Sequence, residues 1–265
     1  MKLNKRTLVN AINDPGKAGK KLLRLLFETR KKFPSNPGYC VICKTNTSFI
    51  EYGEWLRDDY RCIKCNTKPR QRAFISVLNQ QFPNWRGMKV HESSPHLDII
   101  KKECIDYSAS QFYPGKKLGE RYGEFTCEDL SRLTFPDESF DLLLTQDVFE
   151  HVINPEPAFA EIARVLKPGG AHVFTMPWYP ELQKTVIRAK EVDNEIVHME
   201  EPVYHGNPIS DSGSLVTRDW GLDFPEIIFR TSGLMTTIQL IRDKSLGIDG
   251  KFLEVFICRK ANEQT

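Results

Sequence analysis

Four of the seven cysteines lie in two close pairs, Cys40 and Cys43 in CVIC and Cys62 and Cys65 in CIKC. Cysteines at C-x2-C-x18-C-x2-C spacing suit a four-thiolate zinc site, because each tight knuckle aims two sulfurs at one point and two knuckles complete a tetrahedron. Such a site keeps no open coordination position, so the metal expected here, about one zinc ion per chain, is structural and not catalytic. Two reduced pairs that merely pack are the alternative, and they would leave a hydrophilic segment with little to hold it. Cys104, Cys127 and Cys258 stand apart and read as core or surface thiols.

The remaining candidates for chemistry sit where apolar runs stop, so the elements that carry those runs must be placed first. MKVHE (88–92) reads as a strand end, HLDIIKK (96–102) as a short helix and CIDYSAS (104–110) as a second strand. FDLLLTQDV (140–148) is a near-continuous apolar run, the mark of a parallel strand covered on both faces. PEPAFAEIARVLKPGG (155–170) sets Phe159, Ile162, Ala163 and Leu166 on one helical face and stops at Pro168 and the Gly169–Gly170 pair, ahead of a strand at 171–178. Strand, helix and strand in repetition with short links predict a parallel sheet wrapped by helices. Ligands of such sheets bind beyond the carboxyl ends of the strands, where the strand order reverses. Those ends carry Glu92, Ser93 and Ser94, then Ser108 to Gln111, then Asp129 and Leu130, then Thr145 to His151.

Around this centre the chain divides. A helix is expected at 18–32, the breaker run PSNPG (34–38) marks a boundary, the cysteine module follows to residue 68, and a helix spans 69–82. Arg70 and Arg72 near the start of that helix read as solvated, with a phosphate or carboxylate contact as the alternative. Residues 180–224 are polar, without a clear period and too long for a simple connection, so they are expected to cover a site. A last helix at 225–233 and two strands, 235–242 and 251–259, joined by an eight-residue loop, predict an antiparallel hairpin at one edge of the sheet.

The run CEDLSRLTFPDESFDLLLTQDVFEHVINPEPAFAEIARVLKPGGAHVFTMPW (127–178) resembles the class I S-adenosylmethionine-dependent methyltransferases of the type 11-like, small-molecule group. Their pattern is an acidic residue, then LPFPD-x-SFD, then EHV, then a helix ending LKPGG before a strand. The resemblance implies an α/β fold with a Rossmann-like seven-stranded sheet and an antiparallel hairpin at its C-terminal edge, preceded by the small zinc-knuckle module. It covers most of 88–260, and members with N-terminal cysteine knuckles occur beside sugar-assembly enzymes. It further implies that Asp129 accepts from the adenine amino group, that the Leu130 N–H meets the adenine ring, that Glu92 lies near the amino group of the methionine moiety, and that Gln146 and Asp147 floor the pocket. Two departures matter. The glycine-rich turn of the family is replaced by ESSPH (92–96), where Ser93 and Ser94 would donate in place of bare backbone, and the acid that normally holds the ribose is replaced by Ser110 and Gln111.

Methyl transfer is an in-line displacement at a sulfonium carbon, so positioning does most of the work and a base is needed only for a protonated nucleophile. His205, in the covering segment, is the candidate base, or else a histidine bonded to its own loop. His151 reads as a second candidate or as a pocket wall. Tyr204, Asp219 and Trp220 are candidate acceptor contacts, with packing anchors as the alternative for the aromatics.

Composition narrows the class. The 265 residues are 40% hydrophobic and 27% charged, which suits a folded chain with a full core and rules out wholesale disorder. No apolar run reaches the roughly 20 residues of a membrane span, and the basic start lacks the apolar stretch of a signal peptide, so a cytoplasmic location is expected. Residues 1–36 hold ten Lys/Arg against Asp14 and Glu28, a charge of +8, so the other 229 residues carry −6 of the net +2. The leading reading is an enzyme that methylates an oxygen or nitrogen of a small molecule, a saccharide or nucleotide-linked sugar. An RNA methyltransferase gripping its substrate with knuckles and basic arm is a second reading, disfavoured by the acidic remainder. A non-catalytic scaffold with a degenerate cofactor site is the third.

Overall fold

The computed structural model describes residues 33–193, 195–207 and 210–262, so the helix expected at 18–32 and nearly all of the basic arm lie outside the described residues. Three antiparallel strands open the described chain: β1 (Ser35–Cys40), β2 (Thr45–Glu51) and, after the single-turn helix α1 (Leu56–Asp59), β3 (Tyr60–Cys62). Their interior is small. Phe49 and Tyr60 are the large side chains of its buried cluster, beside Cys40 and Cys62.

Helix α2 (Pro69–Gln81) then leads to β4 (Lys89–Ser93), α3 (Asp98–Glu103), β5 (Asp106–Gln111), β6 (Arg121–Tyr122), β7 (Phe125–Cys127), β8 (Phe140–Gln146), α4 (Pro155–Val165) and β9 (Leu166–Thr175). Six short strands follow, β10 (Val186–Ile187), β11 (Ala189–Val192), β12 (Glu195–His198), β13 (Tyr204–Asn207), β14 (Ser210–Leu215) and β15 (Arg218–Asp219). They pair as three two-stranded ribbons outside the main sheet, so the segment expected to be an aperiodic cover holds two hairpins, β11–β12 and β13–β14, and a long-range pair, β10–β15. Helix α5 (Phe224–Ser232), β16 (Met235–Gln239) and β17 (Val255–Arg259) close the chain.

The main sheet runs β16-β17-β9-β8-β4-β5-β7-β6. The strands β7, β5, β4, β8 and β9 are parallel, and the β16–β17 hairpin is antiparallel at one edge, as expected. The two-residue β6 adds an eighth strand at the other edge, antiparallel to β7. The order reverses between β4 and β8, which places the crevice there.

Alternation along β8 sends Leu142 and Leu144 to one face and Leu143 to the other. The first face packs under Phe74, Ile75, Val77 and Leu78 of α2. The second packs under Phe159 and Ile162 of α4 and Phe224 and Ile228 of α5.

Two details depart from expectation. Helix α4 ends at Val165 and the KPGG run belongs to β9, where a bulge opposes it to Asp141. Gly169 adopts φ +74°, and a Cβ on Gly170 would lie 2.8 Å from the Lys167 carbonyl and 2.9 Å from that of Asp141, so the bulge needs both glycines. The strands of the terminal hairpin are also shorter than expected. Its connection, 240–254, folds back on the cysteine module: Asn36 donates to the Lys244 carbonyl at 2.6 Å, and Arg57 to that of Phe252 at 3.2 Å.

Candidate active site and cysteine cluster

The two knuckles bring the four sulfurs together. Cys40 Sγ lies 3.6 Å from Cys65 Sγ, Cys43 Sγ lies 3.9 Å from Cys62 Sγ, and all four fall within 4.8 Å of one another. Zinc–sulfur bonds of about 2.3 Å in a tetrahedron require sulfurs about 3.8 Å apart, so the thiols as placed fit zinc. Arg72, wholly buried, lies beside the cluster with its guanidinium 4.6 Å from the centre of the Phe49 ring. It donates to the carbonyls of Tyr60 at 2.8 Å and Gly247 at 3.1 Å. It is a strut between β3, α2 and the hairpin connection and not a solvated helix start, and its charge would offset the excess negative charge that four thiolates around a zinc ion would carry.

At the switch point, β4 and β8 deliver their end residues side by side. Glu92 is 1% exposed; it accepts from Tyr107 at 2.9 Å, from Gln146 at 3.4 Å and from the His96 N–H at 3.5 Å. Burial pushes its carboxyl up to about 7 against those bonds. Ser94 adopts φ +55° and Asp147 φ +53°. Left-handed backbone is uncommon without glycine, and its clustering at two adjacent strand ends marks a strained, functional edge. Ser94 thus takes the conformation that a glycine-rich turn would supply, but its N–H is spent on the Ser110 carbonyl at 2.8 Å. Ser93 is buried.

Ser110 lies away from the crevice opening, fully buried with its hydroxyl 2.9 Å from His91 Nε2. The half-buried Gln111 is the better placed of the two neutral residues to meet a diol. Asp129 is half-buried, with Oδ1 held by the Ser131 N–H and hydroxyl at 2.9 and 2.7 Å, and Leu130 is buried beside it. The donor set at these strand ends, two carboxylates with an amide between the strands, fits the ammonium and adenine amino group of S-adenosylmethionine.

A cavity of about 490 Å³ adjoins this edge. The cysteine module contributes Trp55, Arg57, Asp58, Lys68 and Arg70; the sheet edge contributes His96, Asp147, Glu150 and His151; β13 contributes His205 and Gly206. Asp147 is the junction, accepting from Arg57 at 2.7 Å and Arg70 at 2.9 Å. Burial alone would raise its carboxyl, but the two guanidiniums outweigh it and hold the group at about 2. Arg70 therefore reaches a carboxylate of this chain and is not a solvated residue.

Glu150 differs. It is 1% exposed with neither carboxylate oxygen hydrogen-bonded, and burial together with the Asp147 charge pushes it up to about 8. His151 donates from Nδ1 to the Leu215 carbonyl at 2.8 Å, and its ring centre lies 5.1 Å from that of His205. The two sequence-predicted histidines thus meet at one wall. Of the acceptor candidates, Tyr204 is exposed, Asp219 is paired with Arg188 at 2.7 Å, and Trp220 is fully buried against Phe159 and Phe224, so the tryptophan is a packing anchor and not an acceptor contact. Sequence reasoning missed Arg57 and Glu150. Glu150 stood among the strand-end residues 145–151 and in the EHV run but drew no role of its own, and Arg57 had no cue.

Residues 97–174 match the family described as "Methyltransferase domain". An uncharacterized methyltransferase of Schizosaccharomyces pombe is 25% identical over 135 residues, 51% of this chain and 42% of that protein. A phosphatidylethanolamine N-methyltransferase of Cereibacter sphaeroides is 27% identical over 132 residues, 45% of this chain and 62% of its own length. The chain thus covers less than two thirds of either relative. An S-adenosylmethionine-dependent methyltransferase of Mesorhizobium loti, known by crystal structure, aligns with 71% of this chain and 98% of its own at 14% identity and a TM-score of 0.47. The methyltransferase match spans α3 to β9, the centre of the main sheet.

Proposed function

We propose that this chain transfers the methyl group of S-adenosylmethionine to an oxygen or nitrogen of a small polar acceptor, a saccharide or nucleotide-linked sugar. The observation that carries the acceptor class is the lining of the cavity. Arg57, Asp58, Lys68, Arg70, His96 and Asp147 offer charge and hydrogen bonds to a molecule rich in hydroxyls or phosphate, and they would leave a sterol or quinone ring to face desolvated ions. Trp55, Tyr179 and Phe252 also line the cavity and offer ring faces on which a sugar can stack; one relative is a phosphatidylethanolamine N-methyltransferase, and its acceptor is therefore included in the panel below.

When bound, S-adenosylmethionine supplies a methyl group activated on a sulfonium. Glu92, Gln146, Asp129, Leu130 and Gln111 would hold it at the strand ends, with Ser93 and Ser94 shaping the turn. Asp147, fixed by Arg57 and Arg70, separates that strip from the acceptor cavity. His151 and His205 stand on the acceptor side, where the proton of an incoming hydroxyl must be handled. The β13–β14 hairpin and its neighbours act as the cover.

Transfer of labelled methyl from S-adenosylmethionine to a panel of nucleotide-linked sugars, free saccharides, quinones and phosphatidylethanolamine tests the reading. Sugars are expected to be labelled, and His205→Ala is expected to lower turnover at least tenfold with little change in affinity for S-adenosylhomocysteine. Absence of any thermal shift with S-adenosylhomocysteine would return the chain to a scaffold.

A further inference from the structure

Glu150, His151 and His205 converge on one wall of the acceptor cavity, and their ligand atoms all lie within 4.8 Å of one another. We propose that these three residues bind a first-row divalent cation, distinct from any metal in the cysteine cluster, with a remaining coordination position open to a hydroxyl of the acceptor. This rests on the methyl-transfer reading above for the identity of that last ligand, but not for the cation site itself.

Three independent features carry it. The first is the carboxylate. Glu150 Oε1 and Oε2 are both buried and without a hydrogen bond, although buried polar groups are almost always satisfied and an unpaired one costs free energy. Asp147, three residues earlier, has two arginines, so the lack of a partner at Glu150 is not a general feature of this edge.

The second is the histidine tautomer. The Nδ1–H of His151 is committed to the Leu215 carbonyl, which leaves a lone pair on Nε2, 3.8 Å from Glu150 Oε1. A ring nitrogen donated to a backbone carbonyl is the usual support of a metal-bound imidazole.

The third is preorganisation. Thr217 fixes the Glu150 backbone, its N–H donating to the Glu150 carbonyl at 2.7 Å, and its hydroxyl binds the Val152 carbonyl at 2.9 Å. The β14 strand that receives His151 is paired to the β13 strand that carries His205, through Tyr204 opposite Leu215. His205 Nδ1 then lies 3.9 Å from Glu150 Oε1.

Ligand bonds near 2.0–2.1 Å in a tetrahedron place ligand atoms roughly 3.4 Å apart, so each Glu150 edge needs to close by only about half an ångström. His205 lies on an exposed hairpin and can close its own edge, and a small rotation of the Glu150 carboxylate closes the edge to His151. Two imidazoles and one carboxylate with an open position are the donor set of catalytic zinc and of non-haem iron sites. A hydroxyl in the open position is acidified as metal-bound water is. The acceptor O–H bond and the sulfonium C–S bond then break, the new C–O bond forms, the donor leaves as a neutral thioether, and the proton passes to solvent in the open cavity.

The test is metal content of the full chain after equilibrium dialysis against Zn2+, followed by Co2+ substitution. Wild type is expected to hold about two ions and Glu150→Gln and His205→Ala about one. With Co2+, each variant should keep the thiolate charge-transfer absorption of the cysteine cluster, which shows that it is folded, and lose the weaker thiolate-free bands. A wild type that holds about one ion, or variants that hold as much as wild type, overturns the site. Binding of S-adenosylhomocysteine is measured on the same samples: its loss with the second ion retained defeats the methyl-transfer reading and leaves the cation site standing, and the reverse pattern defeats the cation site alone.

Discussion

Glu92 and Asp147 are buried carboxyls at neighbouring strand ends, displaced in opposite directions. Asp147 is held at about 2 by Arg57 and Arg70, so it adds stability above the ordinary carboxylate range and that stability is lost as pH falls from about 4 towards about 2. Glu92 is raised to about 7, so its charging costs stability progressively as pH climbs from 4.5 to about 7, a penalty of order 3 kcal/mol in the absence of ligand. Glu92→Gln is therefore expected to be more stable than wild type at pH 9 by up to about that amount and equal to it below pH 4.5, with urea denaturation as the measurement, while binding S-adenosylhomocysteine more weakly. Asp129→Ala should weaken the same ligand about tenfold by isothermal calorimetry, the worth of one hydrogen bond to a charged acceptor. An unchanged constant would place the adenine elsewhere. These acids were legible because each sits where an apolar run ends. Ser110 was misjudged by one step of alternation: next to Gln111 on β5, it turns its hydroxyl to His91. Glu150 and Arg57 were illegible as a pair of features, since burial without a partner and an ion pair across 90 residues are both set by tertiary packing.

Among the elements, the cysteine module has little apolar interior: a cluster of Phe49, Tyr60 and two thiols is small against the ordering of some thirty residues, a cost that a metal on the four cysteines would offset. The spacing of its cysteines announced the cluster, but nothing local announced where it docks. Docking depends on Arg57 and Arg70 meeting Asp147, on Arg72 between β3 and the hairpin connection, and on Asn36 at Lys244. Removing zinc with a chelator, or replacing Cys62 by Ser, is therefore expected to free the module and open the acceptor cavity while the sheet persists. Methyl transfer should fall by more than tenfold, S-adenosylhomocysteine binding should change little, and proteolysis should cut first between 40 and 68. Simultaneous loss of both functions would mean that the module holds up the sheet itself. The two ribbons at 189–215 were read from sequence as irregular cover because β11 and β12 expose nearly all their residues, and an exposed ribbon has no buried face to impose alternation.

For the molecule as a whole, charge is divided along the chain, +8 in residues 1–36 and −6 in the remainder. Among the described residues the cavity is lined from Trp55 onward. No helix among the described residues is long and apolar enough to cross a membrane. A basic segment of this kind would bind a polyanion through counterion release. Deleting residues 2–32 removes ten of the 37 basic side chains and none of the described residues that line the cavity or form the cysteine cluster. The full chain is expected to bind generic RNA weakly, with an affinity that falls steeply with salt, and the deletion to abolish that binding, while the rate of methyl transfer to a small acceptor stays within about twofold, the outcome for two independent sites. Gel shift across a salt series and labelled-methyl transfer, run on the same two proteins, separate the small-molecule enzyme from one that reads RNA. If the deletion silenced transfer and left S-adenosylhomocysteine binding intact, the basic arm would be delivering the acceptor, and the acceptor would be a nucleic acid.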